Sequence, residues 1–104
     1  MSEGVIEYTE AARLELDALF FWISIETGPN AAQAVMRRLN RAIQNVAAFP
    51  LMGQMRPEWV DEPRSFSVHP WLLLYEPLER RRGIRLLRVL DGRQNLDAIL
   101  GRDP

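Results

Sequence analysis

Residue types that commonly carry catalysis are sparse in this chain of 104 residues, which has one histidine and no cysteine. The absence of cysteine excludes disulfides, thiolate metal ligands and cysteine nucleophiles. A histidine needs an acid, a nucleophile or further ligands around it to form a triad or a metal site, and none is suitably spaced near His69. The sequence also lacks an HExxH motif and a glycine-rich phosphate loop. It therefore predicts no catalytic residue, no metal and no cofactor.

The arginines are the more informative polar residues. All 13 basic side chains are arginine, and the net charge of −1 argues against a nucleic-acid footprint over the whole protein. In strand alternation, Arg88 shares a face with the apolar residues Ile84 and Leu86. An unpaired charge on a buried face is costly, so Arg88 should have a partner, and Asp91 and Glu76 are the nearest candidates.

Arg64 and Arg93 lie at the ends of the same group of strands as Arg88. Two interpretations of these three arginines are open. They could converge on an acidic partner or on phosphates, or each could make a structural ion pair. For each arginine taken alone, the structural ion pair is the favoured interpretation.

The elements that must position these side chains follow from the hydrophobic pattern. Strands are expected at 4–8, 64–68, 71–75 and 84–90, and helices at 10–27, 31–48 and 95–100. The last three strands form a meander, whose apolar face needs a covering layer. The order predicts an α+β fold of β-α-α-β-β-β type, with a helical hairpin on one face of a small antiparallel sheet and a short C-terminal helical turn. The length fits a single domain spanning 1–104.

The first helix carries two apolar stripes, whereas an ordinary surface helix needs only one. The first stripe includes Leu16, Leu19 and Ile23. The second stripe consists of Leu14, Ala18, Phe21, Trp22 and Ile25. Either this second stripe packs against the other helix, or its residues Leu14, Ala18, Phe21 and Ile25 form part of a docking face for a partner chain. The sequence leaves both readings open.

The second helix and the loop after it give further expectations. Asn30 is the expected N-cap of the helix, and Gln33 completes a capping box. The expected core face runs from Val35 through Leu39 to Phe49. The loop that follows is long for a compact domain, which makes it a candidate functional segment.

The N-terminal stretch is acidic and lacks the basic and apolar regions of a secretory signal. The longest apolar run, 18–23, is far too short to span a membrane. A cytoplasmic location is therefore expected.

Several short segments resemble, in their order and spacing, the ParE-type toxins of the RelE/ParE superfamily, which belong to bacterial type II toxin–antitoxin modules. The apolar residues of 16–23 match the first-helix signature, and 29–32 (PNAA) resembles the start of the second helix. Residues 49–53 (FPLMG) resemble the F-P-x-x-G motif, and 64–68 (RSFSV) the R-x-F-x-V motif. Residues 72–76 (LLLYE) occupy the Y-L-I-F-Y-R strand, and 88–93 (RVLDGR) resemble R-V-L-H-G-R. The resemblance covers nearly the whole chain.

The resemblance implies two helices on a small antiparallel sheet and a cognate antitoxin, whose C-terminal segment wraps the toxin. Operator DNA is then contacted only indirectly, through the antitoxin. The candidate antitoxin-binding face is formed by four residues of the second stripe of the first helix, Leu14, Ala18, Phe21 and Ile25. The candidate target-binding residues are Arg64, Arg88, Arg93 and Gln94, and the implied target is DNA gyrase, which ParE-type members poison.

RelE-type members instead cleave mRNA on the ribosome. Their pattern has an arginine where Gln94 stands and a tyrosine for acid–base work near 95–100, where this chain has none. The resemblance therefore implies a non-enzymatic gyrase inhibitor that is neutralised by a ParD-like antitoxin. Two alternatives remain open: a ribosome-dependent mRNA interferase, and a degenerate, non-toxic member that serves as an antitoxin-binding corepressor.

Overall fold

The computed structural model describes residues 4–102. Its elements follow the order β1 (Val5–Tyr8), α1 (Glu10–Glu26), α2 (Pro29–Ala48), β2 (Gln54–Met55), β3 (Arg64–Val68), β4 (Trp71–Pro77), β5 (Gly83–Asp91) and α3 (Leu96–Leu100). The α+β class and the predicted order of helices and main strands are confirmed. One element was not predicted, the two-residue strand β2 in the loop after α2.

The strands form one sheet in the order β1-β5-β4-β3-β2. The pair β1 and β5 is parallel, and every other neighbouring pair is antiparallel, so the sheet is mixed rather than purely antiparallel. The parallel pair follows from the crossover connection, since the chain leaves β1 through both helices before it returns to the sheet. Gly83 allows the close approach of these two strands. A Cβ atom on Gly83 would lie 2.1 Å from the carbonyl oxygen of Val5.

The main core lies between α2 and the sheet. α2 fully buries side chains along one face, including Leu39, Ile43 and Val46. They pack against a buried layer from β4 and β5 that includes Leu73 and Ile84. Because the bulk of the apolar layer comes from α2 and the sheet, these elements hold most of the fold together.

The start and end of α2 differ from the predictions. The helix begins at Pro29 with Gly28 as its N-cap, and no side chain caps it, so the prediction of Asn30 as N-cap is wrong. Proline is favoured at the first helical position because its φ is already helical and its missing N–H would have had no partner there. Phe49 was predicted in the core and is instead 67% exposed. It is the C-cap, with φ −131° and ψ 74°, so the helical period no longer fixes its direction.

Strand β5 contains an irregularity that changes which residues share a face. Leu74 pairs with Arg88 and Tyr75 with Leu86, so Leu87 is an extra residue in the ladder. Beyond this bulge the alternation is reversed. Val89 joins Ile84 and Leu86 in the main core, and the predicted sharing of that face by Arg88 is wrong.

The other face of the sheet is covered by the long loop and α3. Trp59 from the loop is buried with Leu72 and Leu74 of β4, and residues of α3 pack against this smaller cluster. The Trp59 indole N–H donates to the carboxylate of Asp97 at 2.9 Å. The loop predicted as a candidate functional segment is thus also a structural cover.

Candidate protein-binding surfaces

The first turn of α1 is tied to the sheet through Thr9. The Thr9 hydroxyl accepts a hydrogen bond from the Ala12 N–H at 3.1 Å and donates to the carbonyl oxygen of Leu87 at 2.7 Å. The Thr9 N–H donates to the carbonyl oxygen of Leu86 at 3.0 Å. Threonine is a favoured N-cap because its hydroxyl satisfies one of the free N–H groups of the first turn. These bonds fix where α1 starts along β5.

Beyond its first turn, α1 leaves most of its apolar side chains at the surface. Ala12 is its only fully buried residue. Leu14, Phe21 and Ile25 are 59%, 57% and 61% exposed, and Ala18 is exposed with them. The alternative stripe, which includes Leu16 and Leu19, is half-buried against the main core. The second stripe is therefore the exposed one, and we call its residues Leu14, Ala18, Phe21 and Ile25 the α1 strip.

Two grooves flank the α1 strip. One, of about 540 Å³, lies between α1 and α2 and is lined by Leu16, Phe20, Phe21 and Met36, with Asp17 at its rim. The other, of about 420 Å³, lies between α1 and the end of β5 and is lined by Ala18, Trp22, Arg88, Gln94 and Ile99, among others. Trp22 is 58% exposed and contacts Phe21 edge-to-face, with 5.7 Å between ring centroids. Sequence reasoning placed Trp22 in the second stripe and in the family signature but left it out of the docking face.

Arg88 is held by Glu15 of α1, not by Asp91 or Glu76 as predicted. Its guanidinium donates to both carboxylate oxygens of Glu15, at 2.8 Å from Nη2 to Oε2 and at 3.1 Å from Nε to Oε1. The Val89 N–H donates to the same carboxylate at 2.9 Å. The hydrogen bond that Arg88 donates to Glu15 raises the pKa of Arg88. The predicted partners are wrong because the bulge at Leu87 changes the direction in which Arg88 points, and α1 supplies a nearer carboxylate.

Arg93 and Gln94 lie in the turn after β5, and both are exposed. Arg93 donates through its guanidinium and its N–H to the carboxylate of Asp91, with a shortest distance of 2.7 Å. The Arg93 side chain and then its N–H lower the pKa of Asp91 from 3.8 to about 2. The Gln94 N–H donates to the carbonyl oxygen of Asp91 at 3.1 Å, which closes the turn.

Arg64, the first of the four candidate target-binding residues in the chain, lies in β3. Its guanidinium donates to the carbonyl oxygens of Leu51 and Gly53, at 3.1 and 2.8 Å. Arg64, Arg88 and Arg93 are thus each bound to a different part of the chain. Arg88 and Arg93 each make an internal ion pair, as the structural interpretation expects, whereas Arg64 donates to backbone carbonyl oxygens instead.

A second exposed apolar surface was missed by sequence reasoning. Phe49, Leu51, Met52 and Met55 are 67%, 70%, 47% and 54% exposed, and they lie within seven residues of one another. We call this surface the 49–55 patch. In the sequence, these residues are recognisable only as a family motif and as part of a long loop. The sequence signal that could have revealed this patch is a run of large apolar residues that follows neither the helix period nor the strand period.

His69 lies in the turn between β3 and β4. The carbonyl oxygen of His69 accepts a hydrogen bond from Arg38 at 3.0 Å, and its side chain lines a groove of about 230 Å³ with Arg56, Ser67 and Arg93. Across residues 4–102, no group of histidine and acidic side chains is arranged to hold a metal ion. In the same part of the chain, no helix is long and apolar enough to cross a membrane.

Comparisons with known proteins agree on one family. The model of the family described as the ParE toxin of the type II toxin–antitoxin system parDE matches residues 6–96. Toxin ParE3 of Caulobacter vibrioides is 37% identical over 101 residues, which is 95% of this chain and 97% of that protein. A solved structure of the chromosomal ParDE system from P. aeruginosa contains a chain with the same fold, at a TM-score of 0.71 and 19% identity. That match covers 85% of this chain and 95% of the other.

Proposed function

The chain belongs to the ParE toxin family of type II toxin–antitoxin systems, and on that premise we propose that it acts by protein binding. In this proposal it inhibits DNA gyrase by direct contact, and a cognate ParD-like antitoxin binds and neutralises it in the cytoplasm. The α1 strip is the observation that carries the proposal. Contiguous exposed apolar side chains of this kind usually mark an interaction surface.

The α1 strip fits a helical segment of the antitoxin. Leu14, Ala18, Phe21 and Ile25 follow the spacing at which one helix packs against another. Phe21 and Trp22 add large aromatic surfaces, which are enriched among the residues that dominate binding energy. Glu10, Asp17 and Glu26 lie on the same helix, so basic residues beside the apolar anchors of the antitoxin would be complementary. Operator DNA is then reached through the antitoxin.

A non-enzymatic mode of action is supported by the internal contacts that the cationic side chains make. In the groove that holds His69, the guanidinium of Arg93 is bound to Asp91, and the guanidinium of Arg56 is bound to Ser65 and Glu58. Tyrosine, which acid–base cleavage of RNA would use here, is absent from the residues lining this groove. The Tyr75 hydroxyl is instead engaged with the loop after α2.

We assign different roles to the four candidate target-binding residues. Arg64 and Arg88 are positioning residues, because their guanidinium groups hold the 49–55 segment and α1 respectively. Arg93 and Gln94 are exposed in one turn and are the proposed contact residues for gyrase. Arg93 binds Asp91 through Nε and Nη2, but its side chain is 70% exposed, so the remaining guanidinium N–H groups can donate to an acidic protein surface.

Expression of the chain without its antitoxin tests the proposal. DNA replication and translation are followed separately after induction, and plasmid supercoiling is measured in the same cells. We expect replication to stop and supercoiling to fall before translation changes, and co-expression of the antitoxin should restore growth. Prompt arrest of translation with cleaved mRNA would instead identify an mRNA interferase, and unimpaired growth would identify a non-toxic corepressor.

A further inference from the structure

The 49–55 patch has a feature that ordinary exposed loops lack, a fixed backbone. The Gly53 N–H donates to the Tyr75 hydroxyl at 2.9 Å, and that hydroxyl donates to the carbonyl oxygen of Pro50 at 2.7 Å. Arg64 binds the carbonyl oxygens of Leu51 and Gly53 from β3. A Cβ atom on Gly53 would lie 2.4 Å from the Tyr75 hydroxyl, so this segment sits directly on the tyrosine.

A rigid backbone lowers the entropic cost of using exposed side chains for binding. The backbone of the 49–55 patch is held by these hydrogen bonds, and four large apolar side chains above it stay exposed: Phe49, Leu51, Met52 and Met55. Methionine adapts its shape to a partner, and phenylalanine supplies a large anchor. Such a preorganised apolar surface is typical of a docking site, since monomers rarely expose contiguous large apolar residues without a partner.

The 49–55 patch is well separated from the α1 strip. α1 starts on β5, whereas the 49–55 patch ends in β2, three strands further along the sheet. Neighbouring strands are about 4.8 Å apart, so the two elements are on the order of 14 Å apart across the sheet. A single helical segment on α1 would leave the 49–55 patch uncovered.

The charges around the two surfaces are also different. The stretch from Thr27 to Pro57 contains no acidic residue and carries four arginines, of which Arg41 lies about two turns before Phe49. Arg56, directly after Met55, is paired with Glu58 at 3.4 Å, so the basic charge beside the patch comes from Arg41 and from Arg64, whose guanidinium binds carbonyl oxygens of the patch itself. α1, by contrast, carries Glu10, Glu15, Asp17 and Glu26. A basic rim fits a partner with acidic side chains, and it disfavours a second copy of this chain, because a twofold contact would bring the same arginines together.

We infer that the 49–55 patch is the apolar part of the surface that contacts the toxin's target, and that its occupant is an acidic protein surface carrying apolar pockets. The inference rests on the proposed function, in which that target is DNA gyrase.

A pair of matched double variants tests the inference with purified chain, gyrase holoenzyme and antitoxin. Leu51→Ser with Met55→Ser removes two anchors of the patch, and Leu14→Ser with Ile25→Ser removes two anchors of similar exposure from the α1 strip. We expect the patch variant to bind gyrase about 30-fold more weakly and to bind antitoxin as the wild type does. The α1 variant should show the reverse. All four substitutions are at exposed sites, and retained binding to the other partner shows that each variant is folded.

The charge of the rim gives a second measurement. Arg41→Glu should weaken gyrase binding severalfold, and the loss should shrink as salt is raised, because exposed charges are screened. If the wild type binds gyrase and the patch variant binds it equally tightly, the inference is overturned and the proposed function stands. Loss of antitoxin binding in the patch variant would assign the patch to the antitoxin and overturn the inference. A wild-type chain that does not bind gyrase at all would remove both proposals.

Discussion

The carboxylate of Glu15 in the first helix holds the guanidinium of Arg88 in the last strand, although the two residues are 73 positions apart in the chain. The pair is half-buried, and its carboxylate also accepts the N–H of Val89. It is the strongest polar link between α1 and the sheet beyond the N-cap. Because α1 buries only Ala12 fully, this link is important for where the exposed strip is presented.

Replacement of Glu15 should therefore lower the stability of the fold. In Glu15→Gln the charge is lost and one acceptor remains, and we expect the free energy of unfolding to fall by about 1 kcal/mol in urea denaturation. Glu26→Gln is the matched control, because Glu26 is exposed at the C-terminal end of α1, where a negative charge is slightly unfavourable. Equal stability of the two variants would show that the pair with Arg88 contributes nothing.

The pH dependence of Asp91 tests the turn that carries the proposed contact residues. The pKa of Asp91 in the folded chain is about 2, against a usual value of 3.8, chiefly because of the hydrogen bond from Arg93. A lowered folded-state pKa means that the pair stabilises the fold above about pH 4 and that this contribution is lost as the pH falls toward 2. Titration by NMR should show the Asp91 pKa rising toward 3.8 in Arg93→Gln. Arg102→Gln, which removes a distant arginine paired with Glu62, should leave the titration unchanged.

Tyr75→Phe tests whether the 49–55 patch is held in place by one hydroxyl. The substitution leaves the Gly53 N–H and the Pro50 carbonyl oxygen without their partner, so the free energy of unfolding should fall by about 2 kcal/mol. Amide hydrogen exchange at Gly53 should become faster. In Tyr8→Phe, the control, the phenyl ring can still lie under the guanidinium of Arg13, and little change is expected. Unchanged exchange at Gly53 in Tyr75→Phe would contradict the role of the hydroxyl.

Phe21→Asp tests the antitoxin face. Phe21 is 57% exposed, so the free energy of unfolding should change by no more than about 0.5 kcal/mol. A charge in the centre of the α1 strip should weaken antitoxin binding by about tenfold or more, measured by calorimetry. Leu51→Asp places the same charge on the other apolar surface and should leave antitoxin binding intact. Unfolding of Phe21→Asp would mean that this face is core.

Individual residues show what could and could not be predicted from the sequence. The helices were predictable because Thr9 and the Gly28-Pro29 pair mark their limits clearly. The partner of Arg88 was not, because alternation cannot reveal an extra residue such as Leu87, and Glu15 is brought near only by the packing of α1. Phe49 was misplaced because it is the residue at which the helical period ends. The choice between the two stripes of α1 depended on where α2 lies, which no local pattern contains.

The shallow burial of α1 has a consequence for how such a pair of proteins can diverge. Substitutions at Leu14, Ala18, Phe21 or Ile25 touch a surface and spare the core that α2 and the sheet provide. Their effect falls on which partner is recognised, and the free energy of folding is little affected. A lineage that carries several related modules could therefore change these side chains, together with those of the matching partner, and keep each pair from recognising the others.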